Sequence, residues 1–243
     1  MTTYGIIGNP LSHSFSKKYF TDKFLHLKDQ NLIFKEFEIE NVNELQKIIS
    51  ANPSLRGLNV TYPFKEKVID VLNEIDNTAN EIGAVNVIKI TNGKLKGYNT
   101  DIIGFETTLK PLLKTNYNKA LILGTGGSAK AVSFVLKKLN INYFFVSRKT
   151  TNKFTIKYDE LNSFIKEHKL IINTTPLGMY PDVDNCPVLP YESLSDQHLL
   201  YDLIYNPKET LFLQKGKRQG ATIINGMEML KKQADAAWHI WNK

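Results

Sequence analysis

Short runs of branched and aromatic residues recur along the chain, separated by stretches in which apolar positions return every three or four residues. The first pattern is that of buried strands and the second that of amphipathic helices. Strands are predicted over residues 4–7, 33–39, 57–60, 85–90, 120–123, 143–146, 170–172, 199–203 and 221–224. Helical faces are formed by Val42, Leu45, Ile48 and Ile49, by Val68, Val71, Leu72 and Ile75, and by Val132, Val135, Leu136 and Leu139. Phe20, Phe24 and Leu27 mark another helix, and Asn92-Gly93 reads as a tight hairpin turn between two strand-like runs. The segment 105–118 reads as a connecting helix, and 226–241 as a last amphipathic one. Strands and helices in alternation predict an α/β protein. A new series of strand, glycine loop and helix begins at Lys119, so the chain divides near residue 101 into two α/β layers, 1–101 and 102–224, followed by the helix of 225–243.

With 243 residues, 42% of them hydrophobic and 23% charged, the chain has the balance of a folded protein and length enough for one large or two smaller cores. No apolar run approaches the ~18 residues of a transmembrane helix. The start, Met1-Thr2-Thr3-Tyr4-Gly5-Ile6-Ile7-Gly8, has neither the basic nor the apolar region of a signal peptide, which predicts a cytoplasmic protein. Cys186 is the single cysteine, so an internal disulfide and a cysteine-based zinc cluster are excluded, and no metal site is expected. The net charge of +7 favours anionic partners. The lysines nevertheless lie in ones and twos, as on a solvated surface, and no arginine-rich arm appears. The sign of the charge does not choose among small anions and larger partners, a solvated surface explains most of these lysines, and neither nucleic acid nor a membrane is expected as partner.

The sharpest local signal is the apolar strand that runs into Gly124-Thr125-Gly126-Gly127-Ser128-Ala129 and then into a helix. Glycines there let the backbone approach a pyrophosphate, whose charge sits on free N–H groups at the helix start. The next strand ends in Ser147-Arg148-Lys149, about 20 residues on, where an NAD site would carry an acid for the ribose hydroxyl. Two cations stand there instead, and a guanidinium can fork two hydrogen bonds to a 2′-phosphate, so NADP is the expected cofactor. In the first half, Ser12, Ser14 and Ser16 lie between a strand and a helix, where hydroxyls can hold a carboxylate or simply cap the helix. Asn59, Thr61 and Lys65 follow an apolar strand, at the end where open α/β sheets gather ligands. A lysine in such a place can protonate an oxygen, although most isolated lysines only solvate a surface. Asn86 and Asn99-Thr100-Asp101 punctuate strand ends in the same way, and Asp101 could also be a helix N-cap.

Taken in order, the chain holds Gly8-Asn9-Pro10 with His13-Ser14-x-Ser16, then Asn59-Val60-Thr61-x-Pro63-x-Lys65, Gly83-Ala84-Val85-Asn86 and Asn99-Thr100-Asp101. The glycine loop follows, then Asn173-Thr174-Thr175-Pro176-x-Gly178-Met179, Asp202-x-x-Tyr205-Asn206-Pro207 and Gly226-Met227-x-Met229-Leu230-x-x-Gln233. Together these motifs resemble the shikimate dehydrogenase family over nearly the whole chain. The resemblance implies two domains around a cleft: an α/β substrate-binding and catalytic domain, a Rossmann-like NADP domain, and a final helix that returns to the first. It implies reduction of 3-dehydroshikimate to shikimate by NADPH, on the route to chorismate and the aromatic amino acids, in a monomer or a homodimer. By the same resemblance Ser14 and Ser16 bind the substrate carboxylate, and Thr61, Asn86, Asp101 and Gln233 bind ring hydroxyls, with Asn59 and Tyr205 also on the substrate. Lys65 and Asp101 resemble the catalytic pair, the lysine supplying a proton to the developing alkoxide while the aspartate orients it. Gly124, Gly126, Gly127, Ser128, Ala129, Ser147, Arg148 and Lys149 fall on the adenosine and phosphate side of the cofactor, and Asn173, Thr174, Met179, Gly226 and Met227 on the nicotinamide side.

Four positions depart from the family pattern. Lys17 stands where proline is common, Ser147 and Lys149 flank the arginine where asparagine and threonine or serine are usual, and Ala234 stands where glycine is usual. Two other readings are of different kinds: a quinate/shikimate dehydrogenase that accepts quinate or NAD, and a non-catalytic relative that binds the metabolite and regulates a partner. Ser16 and the missing acid after the second strand of the glycine-loop half speak against the first, and Lys65 with Asp101 against the second.

Overall fold

The computed structural model describes residues 1–11, 14–149 and 153–243. It divides into two units, Met1–Thr100 with Gln233–Lys243, and Asp101–Lys232.

In the first unit the order is β1 (Thr2–Gly8), α1 (Ser16–His26), β2 (Leu32–Glu38), α2 (Leu45–Ala51), β3 (Leu55–Val60), β4 (Glu74–Ile75), α3 (Asn77–Ile82), β5 (Val87–Thr91) and β6 (Lys94–Tyr98). The strands form one sheet in the order β2-β1-β3-β5-β6-β4. β2, β1 and β3 run parallel, and β5 pairs antiparallel with β3 and β6. This mixture brings the end of β3, the start of β5 and the end of β6 to one edge of the sheet. One face packs Ile7, Leu58, Val60, Phe64 and Val68 into a core, and the other packs Tyr4, Phe20, Phe24 and Phe34 with Ala234, Ala237 and Trp241. Burying a large side chain of this kind contributes about 1.5–3 kcal/mol. Ala234, which replaces the glycine of the family pattern, is 2% exposed within this layer.

The second unit contains α4 (Asp101–Leu109), β7 (Lys119–Leu123), α5 (Gly127–Lys138), β8 (Asn142–Val146), β9 (Thr155–Ile156), β10 (Leu170–Asn173), β11 (Leu199–Asp202), α6 (Leu211–Arg218), β12 (Thr222–Ile224) and the first part of α7 (Met227–Trp241). Its sheet is wholly parallel, in the order β12-β11-β10-β7-β8-β9. The chain winds outward from β7 to β9 and then crosses back to β10, so the order reverses between β7 and β10. Such a reversal opens a crevice at the carboxyl ends of those two strands.

Several expected elements take another form. The face of Val68, Val71, Leu72 and Ile75 is a 3-10 turn over Lys67–Val71 followed by the short β4, because Asn73 pairs through both its N–H and its side chain with Leu95. The helix expected over 105–118 is α4, which starts at Asp101 and ends at Leu109. Pro111 lacks the N–H to carry it on, and a 3-10 turn over Lys110–Leu112 closes it. Leu27 is not on the buried face of α1 with Phe20 and Phe24, since it is the C-cap and 50% exposed.

Candidate active site

At the edge of the first unit where β1 and β3 end, the chain beyond β1 is fastened to the chain beyond β3. Asn9 donates its N–H to the Tyr62 carbonyl at 3.0 Å and its side chain to Ile39 at 3.1 Å, while Thr61 N–H reaches Ile7 at 3.0 Å. Of the expected serines, Ser16 is the first residue of α1 and buried, and its N–H lies 3.3 Å from the Ser14 hydroxyl. The N-cap position is Phe15, which makes no side-chain cap bond, so the first helical N–H is met by the Ser14 hydroxyl. Ser12 and His13 lie outside the described residues.

Asn59 is 4% exposed, next to last in β3, and neither its amide nitrogen nor its amide oxygen has a partner among the described residues. Leaving such a group unpaired costs about 1–3 kcal/mol, which a ligand hydroxyl placed there would recover. Lys65, half-buried, is held by its own backbone: its carbonyl accepts the Val85 N–H at 2.7 Å, one residue before Asn86. Asn86 is a clamp. Its Nδ2 donates to Thr100 Oγ1 at 3.0 Å and to Gln233 Oε1 at 3.2 Å, and its Oδ1 accepts the Thr100 N–H at 2.7 Å. Thr100 is fully buried, and no sequence signal singles it out beyond its place inside the Asn99-Thr100-Asp101 motif. Asp101 follows it as the first residue of α4, 5% exposed. A carboxylate there is favoured by the N-terminal end of the helix dipole.

In the second unit the glycine turn occupies the crevice where the strand order reverses. Gly124 has φ +106°, and a Cβ added to it would lie 2.8 Å from Thr174 Oγ1, so the loops after β7 and β10 touch there. Gly126 is the N-cap of α5 with φ −78°, no side chain caps the helix, and a Cβ at Gly126 would meet nothing within 4 Å. Gly127, Ser128 and Ala129 form the first turn, and Ala129, 1% exposed, packs its methyl into the core with Val132 and Phe105. Only its backbone is then left for a ligand. Open space at an uncapped helix start is what a pyrophosphate requires, and the residues present fit a dinucleotide. After β8, the Ser147 hydroxyl accepts the Lys149 N–H at 3.4 Å, and Arg148 and Lys149 are exposed. Arg148 lies close enough to Tyr158 for its charge to oppose the rise in that hydroxyl's pKa caused by burial.

Of the residues expected near the nicotinamide, Asn173 and Thr174 turn their side chains inward. Asn173 is fully buried, donating to Asp202 at 3.0 Å and accepting from the Thr175 N–H and hydroxyl at 3.0 and 2.7 Å. Thr174 donates to the Leu123 carbonyl at 2.7 Å. These side chains shape the crevice wall, which a motif cannot reveal. Met179 is 41% exposed, Tyr205 is half-buried, and Met227 opens α7 with its N–H on Asn225 at 3.1 Å. Gly226 is buried and a Cβ there would run into the Leu203 carbonyl, so the position admits only glycine. No helix among the described residues is long and apolar enough to cross a membrane.

Comparison with known proteins places the chain in one family. Residues 6–88 match the family model described as shikimate dehydrogenase substrate binding domain. The chain is 41% identical to the shikimate dehydrogenase (NADP(+)) of Clostridium beijerinckii, over 100% of this chain and 93% of that one. Its fold superposes on shikimate dehydrogenase 1 from Peptoclostridium difficile with a TM-score of 0.87 and 36% identity, covering 100% and 92% of the two chains. The shikimate 5-dehydrogenase of Thermus thermophilus, solved in complex with NADP(H) and shikimate, gives a TM-score of 0.86 at 27% identity, over 99% of this chain and 93% of that one. The chain belongs to the shikimate dehydrogenase family.

Proposed function

We infer that the protein catalyses the reversible, NADPH-dependent reduction of 3-dehydroshikimate to shikimate, the step implied by its family on the way to the aromatic amino acids. The observation that carries this reading to residues is the edge of the first unit. There a lysine, fixed by its backbone beside Asn86, stands at the same strand ends as a buried amide, Asn59, that has no partner among the described residues.

Each side chain then has a task of its own. The Ser14 and Ser16 hydroxyls take the substrate carboxylate. Asn59, Thr61, Asn86, Gln233 and Tyr205 read the ring hydroxyls, for which paired donors and acceptors discriminate far better than an apolar pocket does. NADPH supplies the hydride. Lys65 gives its proton to the oxygen on which charge develops and takes it back in the reverse direction, and Asp101 is its carboxylate partner in that exchange. The N–H groups at the start of α5 with Arg148 and Lys149 hold the phosphates, the guanidinium selecting the 2′-phosphate. Met179 and Met227 supply apolar cover on the nicotinamide side.

Replacing Lys65 separates an enzyme from a metabolite-binding relative. For Lys65→Ala we expect kcat to fall by about 10²–10⁴-fold with shikimate KM changed only a few-fold, since proton transfer contributes in that range. A variant that loses shikimate binding and keeps its turnover number contradicts the assignment.

A further inference from the structure

Asp202, at the end of β11, is fully buried and has no part in the reading above. Its carboxylate collects hydrogen bonds from three residues of the second unit, one at the end of β10 and two on the connection between β11 and α6. Oδ1 accepts Asn173 Nδ2 at 3.0 Å from the end of β10 and the Ile204 N–H at 3.1 Å from the loop that leads to Tyr205. Oδ2 accepts the hydroxyl of Thr210, the N-cap of α6, at 2.6 Å. The ties continue outward. Asn173 holds Thr175, Thr174 holds the carbonyl of Leu123 directly before the glycine turn, and the Ile204 carbonyl accepts the N–H of Gly226. One carboxylate thus links the loops that follow β7, β10, β11 and β12, all at the edge where the glycine turn opens.

We propose that Asp202 is a positioning residue for the dinucleotide, setting the mutual register of the 173–175, 203–206 and 226–227 segments so that they form one wall of the cofactor crevice. This rests on reading the second unit as the dinucleotide domain. The groups that hydrogen-bond it are an amide, a backbone N–H and a hydroxyl, none of them a cation. A buried carboxylate held only by neutral donors is a costly way to stabilise a fold, since apolar packing serves stability as well or better. Burial pushes its pKa up to about 7 against the opposing pull of those donors. What the carboxylate offers beyond apolar packing is acceptor capacity for three fixed donors at once, which ties the end of β10 to two points of the connection between β11 and α6, and through the Ile204 carbonyl to Gly226.

The test uses the full chain, with NADP⁺ affinity measured by titration calorimetry alongside steady-state kinetics and thermal melting. Asp202→Asn turns one acceptor into a donor, and Thr210→Val removes the donor to Oδ2, whereas Thr210→Ser keeps it. We expect Asp202→Asn and Thr210→Val to raise the NADP⁺ Kd and KM at least tenfold, with kcat and shikimate KM, which the Tyr205 segment also touches, changed by clearly less, and Thr210→Ser to stay within about twofold of wild type. Should Asp202→Asn fail to fold, the Val and Ser pair at Thr210 decides alone. An unchanged NADP⁺ Kd in folded variants, or a loss confined to melting temperature and active fraction, overturns the positioning role and leaves the family function standing. A wild-type chain that binds no NADP⁺ overturns both.

Discussion

Asn59 and Asn86 show how differently two buried amides can serve one edge of a sheet. Asn86 is bonded on both ends within the protein, to Thr100 and Gln233, so its loss disturbs the chain at Thr100 as well as any ligand. Asn59 has no such bonds to lose among the described residues. Replacing it by the isosteric, apolar Leu is therefore expected to leave the melting temperature unchanged or raise it, while shikimate KM rises at least tenfold because a substrate hydroxyl is left unpaired. A fall in stability with unchanged KM would show that Asn59 is a core residue and not a reader of substrate. Residue types and order make the first unit's polar set legible in the sequence. Which of those side chains face a ligand and which face each other is not legible there, because a motif records identity and not the partner each donor has chosen. The roles of Thr100, Asp202 and Thr210 escape a sequence reading for that reason, although the first two stand within its motifs: a buried hydroxyl or carboxylate takes its role from neighbours distant along the chain.

At the scale of elements, the turn between β7 and α5 is readable from spacing alone, whereas the route between β3 and β5 is not. The apolar period over 68–75 is real, but Asn73 finds strand partners on Leu95, and tertiary pairing overrides local periodicity. Pro111 is the signal that sets the true end of the connecting helix, against the hydrophobic period that runs past it. The glycine turn carries a sharper test, because its glycines are needed for different reasons. At Gly124 the positive φ and the 2.8 Å approach to Thr174 Oγ1 both exclude a side chain, so Gly124→Ala is expected to lower stability by about 1–3 kcal/mol. At Gly126 φ is ordinary and the space beside it is open, so Gly126→Ala should melt as wild type does and yet bind NADP⁺ at least tenfold more weakly. Equal melting and equal affinity at Gly126 would remove the phosphates from this helix start.

Over the whole molecule, pH response should come largely from the second unit, where two histidines are buried. His198 accepts the Ser195 N–H on Nδ1 at 3.1 Å and lies 3.0 Å from the Ile165 carbonyl through Nε2, a pattern that fits only the neutral ring with its proton on Nε2. Burial lowers the pKa of His198 and of His168 below the ordinary value of 6.5. The unfolded chain then binds more protons than the folded one as pH falls below 6.5, so the contribution of these rings is complete above that value and is lost toward acid. Asp202, raised to about 7, acts in the opposite sense, its contribution being largest at acid pH and fading as pH rises toward 7, and Tyr191 feels its charge. His198→Gln removes one titrating ring without touching Asp202, and its melting temperature should fall less steeply than that of wild type between pH 7 and 5. Parallel slopes would contradict this account of the ring. The central claim concerns the activity of the whole chain, and it is tested most directly by offering shikimate or quinate, each with NADP⁺ or NAD⁺, and following reduced nicotinamide by its near-ultraviolet absorbance. The account predicts turnover with shikimate and NADP⁺ that exceeds every other pairing at least tenfold in kcat/KM, whereas comparable turnover with quinate or NAD⁺, or binding of shikimate without turnover, would contradict it.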